Sequence, residues 1–153
     1  MKKYFLSIDQ GTTSSRIVLY NTNFSIFDSI QKEFKQYFPK SGWVEHDAEE
    51  IWYDVKFLIN KILKKNKIYA PQIISIGIAN QRETTVLWNK KNGKPIHKAI
   101  VWQDRRTTEI CKKLKQKKLD KKIKNITGLL IAPYFSATKM KWILVNNKKS
   151  KKL

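Results

Sequence analysis

Cysteine and long apolar runs are scarce in this sequence, and each shortage excludes a class of protein. The single Cys111 rules out an internal disulfide and fits a reducing compartment, so we predict a cytoplasmic protein. No apolar run reaches the roughly 18 residues that a membrane-spanning helix needs. Disorder is not expected either, because the 153 residues include five Trp, six Tyr and seven Phe.

Acidic residues are also few, and the formal net charge is +20. A charge this positive is typical of nucleic-acid-binding proteins. Such surfaces favour arginine, however, and only four of the 32 basic residues are arginine. We interpret the lysines as solvated surface positions that reflect compositional drift, and we do not expect nucleic acid as the main partner. A binding module built on the lysine-rich stretches remains the alternative.

The pattern of apolar residues predicts an α/β fold. Three β-rich segments joined by tight turns predict an antiparallel meander, and a helical crossover then leads to a strand that is apolar on both faces. We interpret that strand as a central one, covered on both sides. The predicted strands are residues 3–9, 15–21, 24–35, 73–79, 84–89 and 96–101, and the predicted helices are residues 48–65, 105–118, 119–126 and 135–146.

The first polar motif is Asp-Gln-Gly-Thr-Thr-Ser-Ser-Arg at residues 9–16, in the turn between the first two strands. Gly11 lets the backbone approach a ligand closely, and successive N–H groups in such a turn can surround an anion. Three hydroxyl side chains add donors: Thr12, Thr13 and Ser14. Arg16 can pair with a phosphate, and Asp9 can hold a magnesium ion directly or through water. No Walker loop occurs, and an ordinary polar turn remains the alternative.

Other candidate residues follow the later strands. Arg82 and Glu83 come directly after the strand at 73–79, where ligands of open α/β sheets collect, and their donors and acceptor can hold polyol hydroxyls. An ordinary surface ion pair is the alternative. Trp102 can pack on the carbons of a substrate or be a core residue beside an N-capping Asp104.

The remaining candidates include one further binding residue and several structural ones. Tyr134 can donate its phenol to a substrate hydroxyl or be a half-buried aromatic. His46, His97 and Cys111 have no ligand or base nearby in sequence and are interpreted as structural. Glu45 and Asp47 receive loop and cap roles.

Five segments resemble one family when they are taken in order. They are DQGTTSSR at 9–16, GWVEHD at 42–47, NQRETT at 80–85, IVWQDRRT at 100–107 and PYFSATKMKW at 133–142. Together they resemble the amino-terminal domain of the glycerol kinases in the FGGY carbohydrate kinase family, and the resemblance covers essentially the whole chain. It implies an incomplete ribonuclease-H-like domain of the actin and hexokinase type, with a mixed sheet and flanking helices. We expect this domain at residues 1–146 and a Lys-rich tail at residues 147–153.

The resemblance also implies an activity, which is transfer of the γ-phosphoryl group of Mg-ATP to glycerol to give sn-glycerol 3-phosphate. It implies that the ATP phosphates contact Gly11, Thr12, Thr13, Ser14 and Arg16. It places the metal near Asp9. It implies that glycerol is bound by Arg82, Glu83, Trp102 and Tyr134.

Length is where the chain departs from this family, whose members are several times longer. The resemblance implies that the catalytic base and the adenine pocket lie beyond residue 153, so we expect no catalytic residue within the chain. We expect little or no kinase activity unless a carboxy-terminal kinase half, from a separate or continuing chain, completes it. Without a further strand, residues 73–79 would form an exposed edge. The alternatives are a non-catalytic remnant and another FGGY sugar kinase.

Overall fold

The computed structural model describes residues 1–147, and the chain divides into two compact units. The first unit comprises residues 1–35 and 49–81, and the second comprises residues 36–48 and the chain from residue 82 onward. No helix among the described residues is long and apolar enough to cross a membrane. The predicted Lys-rich tail, except for Asn147, lies outside the described residues.

The elements confirm the predicted α/β order. The strands are β1 (Tyr4–Gln10), β2 (Ser14–Asn21), β3 (Ile26–Glu33), β4 (Gln36–Tyr37), β5 (Glu45–His46), β6 (Ile73–Ala79) and β7 (Ala99–Ile100). The helices are α1 (Ala48–Lys65), α2 (Thr108–Gln116), α3 (Asp120–Thr127) and α4 (Ser136–Asn146), with a 3₁₀ turn at Ala70–Gln72.

The first unit is a four-stranded mixed sheet covered on one face by α1. Its strand order is β3-β2-β1-β6, with β1, β2 and β3 antiparallel and β6 parallel to β1, so the predicted meander and crossover are confirmed. Because its apolar residues recur at helical spacing, α1 buries Leu58 and Ile62 against Leu6 and Leu19 of the sheet. Leu6 and Leu19 are paired across β1 and β2, the two strands that the turn at residues 11–13 connects.

Strand β6 differs from its prediction as a covered central strand. It pairs with β1 on one side only, and no strand among residues 1–147 pairs with its other edge. Ile74, Ile76 and Ile78 are exposed. The prediction of a covered strand is therefore wrong for the described chain, and the expectation of an exposed apolar edge is confirmed. The apolar residues of β6 are of the type that a covered strand buries, but no neighbouring element in the described chain covers Ile74, Ile76 or Ile78.

The second unit holds a small antiparallel sheet and three helices. Its strand order is β4-β5-β7, and the sequence pattern missed both β4 and β5. The predicted strands at 84–89 and 96–101 are reduced to β7 and to single bridges that join Thr85 to Ile100 and Trp88 to Pro95. Helix α3 ends as predicted at Gly128, whose φ of 73° is the left-handed conformation that favours glycine.

Candidate functional site

The turn between β1 and β2 is tight and depends on its glycine. The Gly11 N–H donates to the Ser14 carbonyl oxygen at 3.0 Å, so this N–H is used within the turn. A Cβ atom at Gly11 would lie 3.3 Å from that same oxygen, closer than nearly all real Cβ contacts. Gly11 therefore shapes the predicted phosphate loop, and its own N–H is not available to a ligand in this conformation.

The hydroxyl-bearing part of the loop is held in place by β3 and the residue that follows it. The Gln31 side-chain amide donates to Ser14 Oγ at 3.0 Å, and the Phe34 N–H donates to the Thr13 carbonyl oxygen at 3.2 Å. The Thr13 side chain is exposed, and Ser14 and Thr12 are half-buried. The loop thus presents hydroxyl groups at the surface on a backbone that is anchored from the side.

Asp9 and Arg16 lie directly opposite each other at the ends of β1 and β2 that flank this loop. Asp9 is exposed and Arg16 is half-buried. No group of three or more His, Cys, Asp or Glu side chains among residues 1–147 could hold a metal ion by itself. A single exposed carboxylate fits Mg²⁺ only in the mode that adds waters and substrate phosphates to one protein oxygen.

In the second unit, Glu83 contacts the first turn of α4. Its Oε2 accepts hydrogen bonds from the Ser136 backbone N–H and from Ser136 Oγ, both at 2.8 Å. A carboxylate at this position satisfies an otherwise unpaired N–H and interacts favourably with the helix dipole. Glu83 has a φ of 65°, which is uncommon for a residue with a side chain. Its Oε1 has no hydrogen-bond partner within the described part of the chain.

Lys139 of α4 was not singled out by the sequence analysis, yet it joins two of the predicted site residues. It is fully buried, and its Nζ donates to the backbone oxygen of Glu83 at 3.1 Å and to that of Tyr134. Burial lowers the pKa of Lys139 to about 8, although Glu83 and Asp104 act in the opposite direction. A single cation thus fixes the backbone at both positions.

Trp102 and Tyr134 lie together on one cavity of about 290 Å³. Their ring centroids are 6.0 Å apart and the rings are tilted by 68°, an edge-to-face arrangement. The backbone N–H of Trp102 donates to Thr84 Oγ1 at 3.3 Å. The other lining residues are Gln103, Asp104, Arg105, Ala132 and Pro133. The sequence prediction that these two aromatics could share a small substrate is therefore geometrically reasonable.

Arg82 and Glu83 are not among the residues that line this cavity. Arg82 is exposed, and its side chain makes no ion pair or hydrogen bond with another residue in the described part of the chain. A larger cavity of about 610 Å³, lined by residues of α2 and α4 with Arg106, contains none of the predicted site residues. The binding roles of Arg82 and Glu83 stay predictions.

Asp104 is a buried ion-pair partner, so the alternative in which it caps a helix is wrong. Helix α2 begins only at Thr108, whereas the Asp104 carboxylate accepts from Arg106 Nε at 2.9 Å and from Nη2 at 2.8 Å. Arg106 Nη2 also lies 2.8 Å from Glu45, which is a buried residue of β5 and not a loop residue.

Burial raises the pKa of the Cys111 thiol, which agrees with its interpretation as an inert residue.

The family model for the FGGY carbohydrate kinases, N-terminal domain, matches residues 4–152. A glycerol kinase of Oceanobacillus iheyensis is 60% identical over 145 residues, which cover 95% of this chain and 29% of that protein. The crystal structure of Plasmodium falciparum glycerol kinase with ADP matches with a TM-score of 0.91 and 37% identity, over 99% of this chain and 30% of that one. A gluconate kinase from Lactobacillus acidophilus, at 24% identity and a TM-score of 0.86, shares the fold. The chain thus spans about three tenths of the length of these relatives.

Proposed function

The chain belongs to the FGGY family of carbohydrate kinases, whose amino-terminal domain it matches, and we propose that it takes part in the phosphorylation of glycerol by Mg-ATP. In this proposal its first unit supplies the loop for the ATP phosphates, and its second unit supplies residues that bind glycerol. The 60% identity to a glycerol kinase supports glycerol over the other substrates in the family.

The observation that carries the proposal is the small cavity beside Trp102 and Tyr134. Its volume of about 290 Å³ is at the lower end of the range for ligand pockets, which suits a three-carbon polyol. In the proposed complex the Trp102 ring packs on the glycerol carbons and the Tyr134 phenol bonds a hydroxyl. Glu83 keeps Oε1 for a second hydroxyl because Ser136 occupies Oε2. Arg82 donates to glycerol in the same proposal.

For the nucleotide, the proposed contacts are the hydroxyls and N–H groups of the β1–β2 turn. Thr12, Thr13 and Ser14 donate to phosphate oxygens, and Arg16 adds a charge-assisted hydrogen bond. Gly11 acts by shaping the turn. Asp9 would hold Mg²⁺ through one oxygen, and the ion would neutralise charge on the β- and γ-phosphate oxygens. Phosphoryl transfer needs mainly this positioning and charge compensation.

No residue of this chain is proposed as the catalytic base. This chain covers about three tenths of the length of its relatives. In the proposal the base and the adenine site belong to the remaining part of a kinase, on a separate or continuing chain. The reaction forms a bond between a glycerol oxygen and the γ-phosphorus, breaks the bond to the leaving oxygen of ADP, and releases the proton of the hydroxyl. A cytoplasmic location stays a prediction, based on the single cysteine.

Isothermal titration of the purified chain with glycerol tests the substrate half of this proposal. We expect binding, with a dissociation constant that rises about fivefold for Tyr134→Phe because one hydrogen bond is lost. Tyr69→Phe is the matched control, since Tyr69 is exposed and lies in the first unit, and it should bind as the wild type does.

Two results would contradict the proposal. One is the absence of glycerol binding by a chain whose folding has been verified by circular dichroism. The other is tighter binding of xylulose or gluconate than of glycerol, which would indicate another sugar kinase of the same family.

A further inference from the structure

The first turns of α4 hold both the main chain and the side chain of Glu83. Ser136 and Lys139 are three positions apart in α4, so their side chains lie on one face of the helix. Ser136 bonds the Glu83 carboxylate through Oε2, and Lys139 Nζ donates to the Glu83 backbone oxygen at 3.1 Å. Thr85 Oγ1 donates to the same backbone oxygen at 3.3 Å. The direction of the Glu83 carboxylate is therefore set from two sides.

The backbone conformation of Glu83 needs this support. Its φ of 65° is sparsely populated by residues that carry a side chain. Such a conformation persists only where the surroundings enforce it, and it occurs mainly at sites that bind ligands. Without the hydrogen bond from Lys139, we expect the main chain of Glu83 to relax toward a negative φ, which would redirect its carboxylate.

The same ammonium group also holds a residue of the cavity wall. Lys139 Nζ donates to the Tyr134 backbone oxygen, and it lies 6.0 Å from the centroid of the Tyr134 ring. Tyr134 lines the cavity beside Trp102, whereas Glu83 does not. Lys139 therefore connects the main chain of Glu83 directly to the main chain of a cavity residue.

A buried lysine is a costly way to make this connection. The Lys139 side chain is fully buried, and both of its hydrogen bonds go to main-chain oxygens rather than to a carboxylate. An apolar residue would fill the same space without removing a charge from water. What the ammonium adds is a simultaneous hold on two backbone segments, which an apolar side chain cannot provide.

We propose that Lys139 is a positioning residue that sets the length of the polyol accepted at this cavity, because it holds the main chains of Glu83 and Tyr134 at a fixed separation. The inference rests on the proposed glycerol function, in which the Glu83 carboxylate and the Tyr134 phenol bind different hydroxyls. A fixed separation of these two groups suits a three-carbon polyol and disfavours a four-carbon one. Glycerol also binds more tightly to groups that are already ordered.

Calorimetric titration of the full chain with glycerol and with erythritol, a four-carbon polyol, tests this role. We expect the wild type to bind glycerol at least about tenfold more tightly than erythritol, the usual effect of one carbon in a fitted site. Lys139→Met keeps most of the stem but no donor, and it should reduce this ratio to below about threefold because the two groups are no longer preorganised. Lys141→Met is the matched control, since it changes an exposed lysine of the same helix and should keep the wild-type ratio.

The ratio of the two affinities separates positioning from a purely structural role. A loss of folded protein lowers the apparent affinity for both polyols by the same factor, so it leaves their ratio unchanged. An unchanged ratio in Lys139→Met therefore overturns the inference and leaves the proposed glycerol function standing. A folded wild type that does not bind glycerol overturns the proposed function, and the inference with it.

Nuclear magnetic resonance of the wild type provides a second test that needs no folded variant. In isotope-labelled protein at about pH 6, where the lysine is protonated, the Lys139 ammonium should give a slowly exchanging signal. Couplings across the hydrogen bonds to the carbonyl carbons of Glu83 and Tyr134 identify this signal. Saturation with glycerol should shift it and slow its hydrogen exchange further, whereas the exposed Lys141 should give no protected ammonium signal. A Lys139 signal that glycerol binding leaves unchanged overturns the inference.

Discussion

Arg106 is a charged residue of the second unit that contacts two carboxylates and two tryptophan rings. Its side chain is fully buried, its guanidinium carbon lies 3.9 Å from the centroid of the Trp43 ring and 4.8 Å from that of Trp142, and Asp104 and Glu45 pair with it. A buried charge is tolerated only when it is paired and hydrogen-bonded in this way. The planar guanidinium is suited to two simultaneous hydrogen bonds and to cation–π contact with aromatic rings, and an ammonium group cannot reproduce both at once.

Replacing Arg106 by lysine should therefore destabilise the second unit although the charge is kept. We expect the free energy of unfolding to fall by about 2–3 kcal/mol, because the two-point contact with Asp104 and the close contacts with the Trp43 and Trp142 rings are lost. Urea unfolding followed by tryptophan fluorescence measures this change. The matched control is Arg105→Lys, whose exposed side chain should cost less than about 0.5 kcal/mol. Equal stability of the two variants would show that the Arg106–Asp104 ion pair and its ring contacts contribute little.

Lys139 should make the stability of the second unit depend on pH in the alkaline range. Its pKa is lowered to about 8 by burial, whereas an unfolded lysine has a pKa of about 10.4. Between these values the unfolded state binds more protons than the folded state, so stability rises with pH by about 2–3 kcal/mol from pH 8 to pH 10. Below pH 8 both states are protonated and this contribution is flat. Lys32 and Lys98 have raised pKa values and act only at higher pH, whereas the raised pKa of Cys111 lowers stability as an unfolded thiol ionises and so opposes part of this rise.

Thermal unfolding at half-unit steps from pH 7 to pH 10.5 measures this dependence, and Lys139→Met should flatten it. The control is Lys141→Met, which changes an exposed lysine of the same helix and should keep the wild-type slope. A wild-type profile without the rise would mean that Lys139 is charged throughout the range in the folded state.

The sequence predicted the longer elements and missed the shortest ones, for a physical reason. Helix α1 and strands β1, β2 and β3 repeat apolar residues over many positions, so their periodicity is clear within one segment. Strands β4, β5 and β7 have two residues each, too few to show a period. Their pairing also joins distant residues, such as Glu45 and Ile100, which no local pattern can indicate.

The site shows the same division between local and distant information. Trp102 and Tyr134 were predicted from motifs, and the structure places both on one cavity. Lys139 was missed because a lysine on a helix normally predicts a solvated position. Its burial depends on carbonyl oxygens of Glu83 and Tyr134, and Glu83 is 56 residues away along the chain.

At the scale of the strand, β6 should be the main source of aggregation in the first unit. Its outer edge is unpaired among the described strands and its exposed side chains include Ile76, so it offers a template for another strand. We expect Ile76→Lys to lower light scattering at high protein concentration severalfold, with little loss of stability, because a charge on an edge strand opposes pairing. Ile73→Lys is the contrasting variant, since Ile73 packs against the core and its replacement should unfold the unit. Unchanged scattering for Ile76→Lys in a folded protein would assign the aggregation to another surface.

The whole molecule combines a family assignment with a short length, and this combination determines the activity to expect. The chain covers 29% of the Oceanobacillus iheyensis glycerol kinase, and no residue of it is proposed as the catalytic base. General-base catalysis contributes typically about 10²- to 10⁴-fold, and closure of a site adds exclusion of water. We therefore expect turnover by the chain alone far below 1 s⁻¹, the low end of the ordinary enzyme range of about 1–10³ s⁻¹.

A coupled assay of ADP release with glycerol tests this expectation. The chain should be nearly inactive alone, and activity should appear when it is mixed with the part of the Oceanobacillus iheyensis enzyme that lies outside the matched segment. Asp9→Asn should then remove most of the restored activity, because the proposed carboxylate oxygen for Mg²⁺ is lost, while Asp28→Asn on β3 should retain it. Turnover near 1 s⁻¹ by the chain alone would instead place a complete phosphoryl-transfer site within these 153 residues. Restored activity that survives Asp9→Asn would leave the first loop without its proposed metal role.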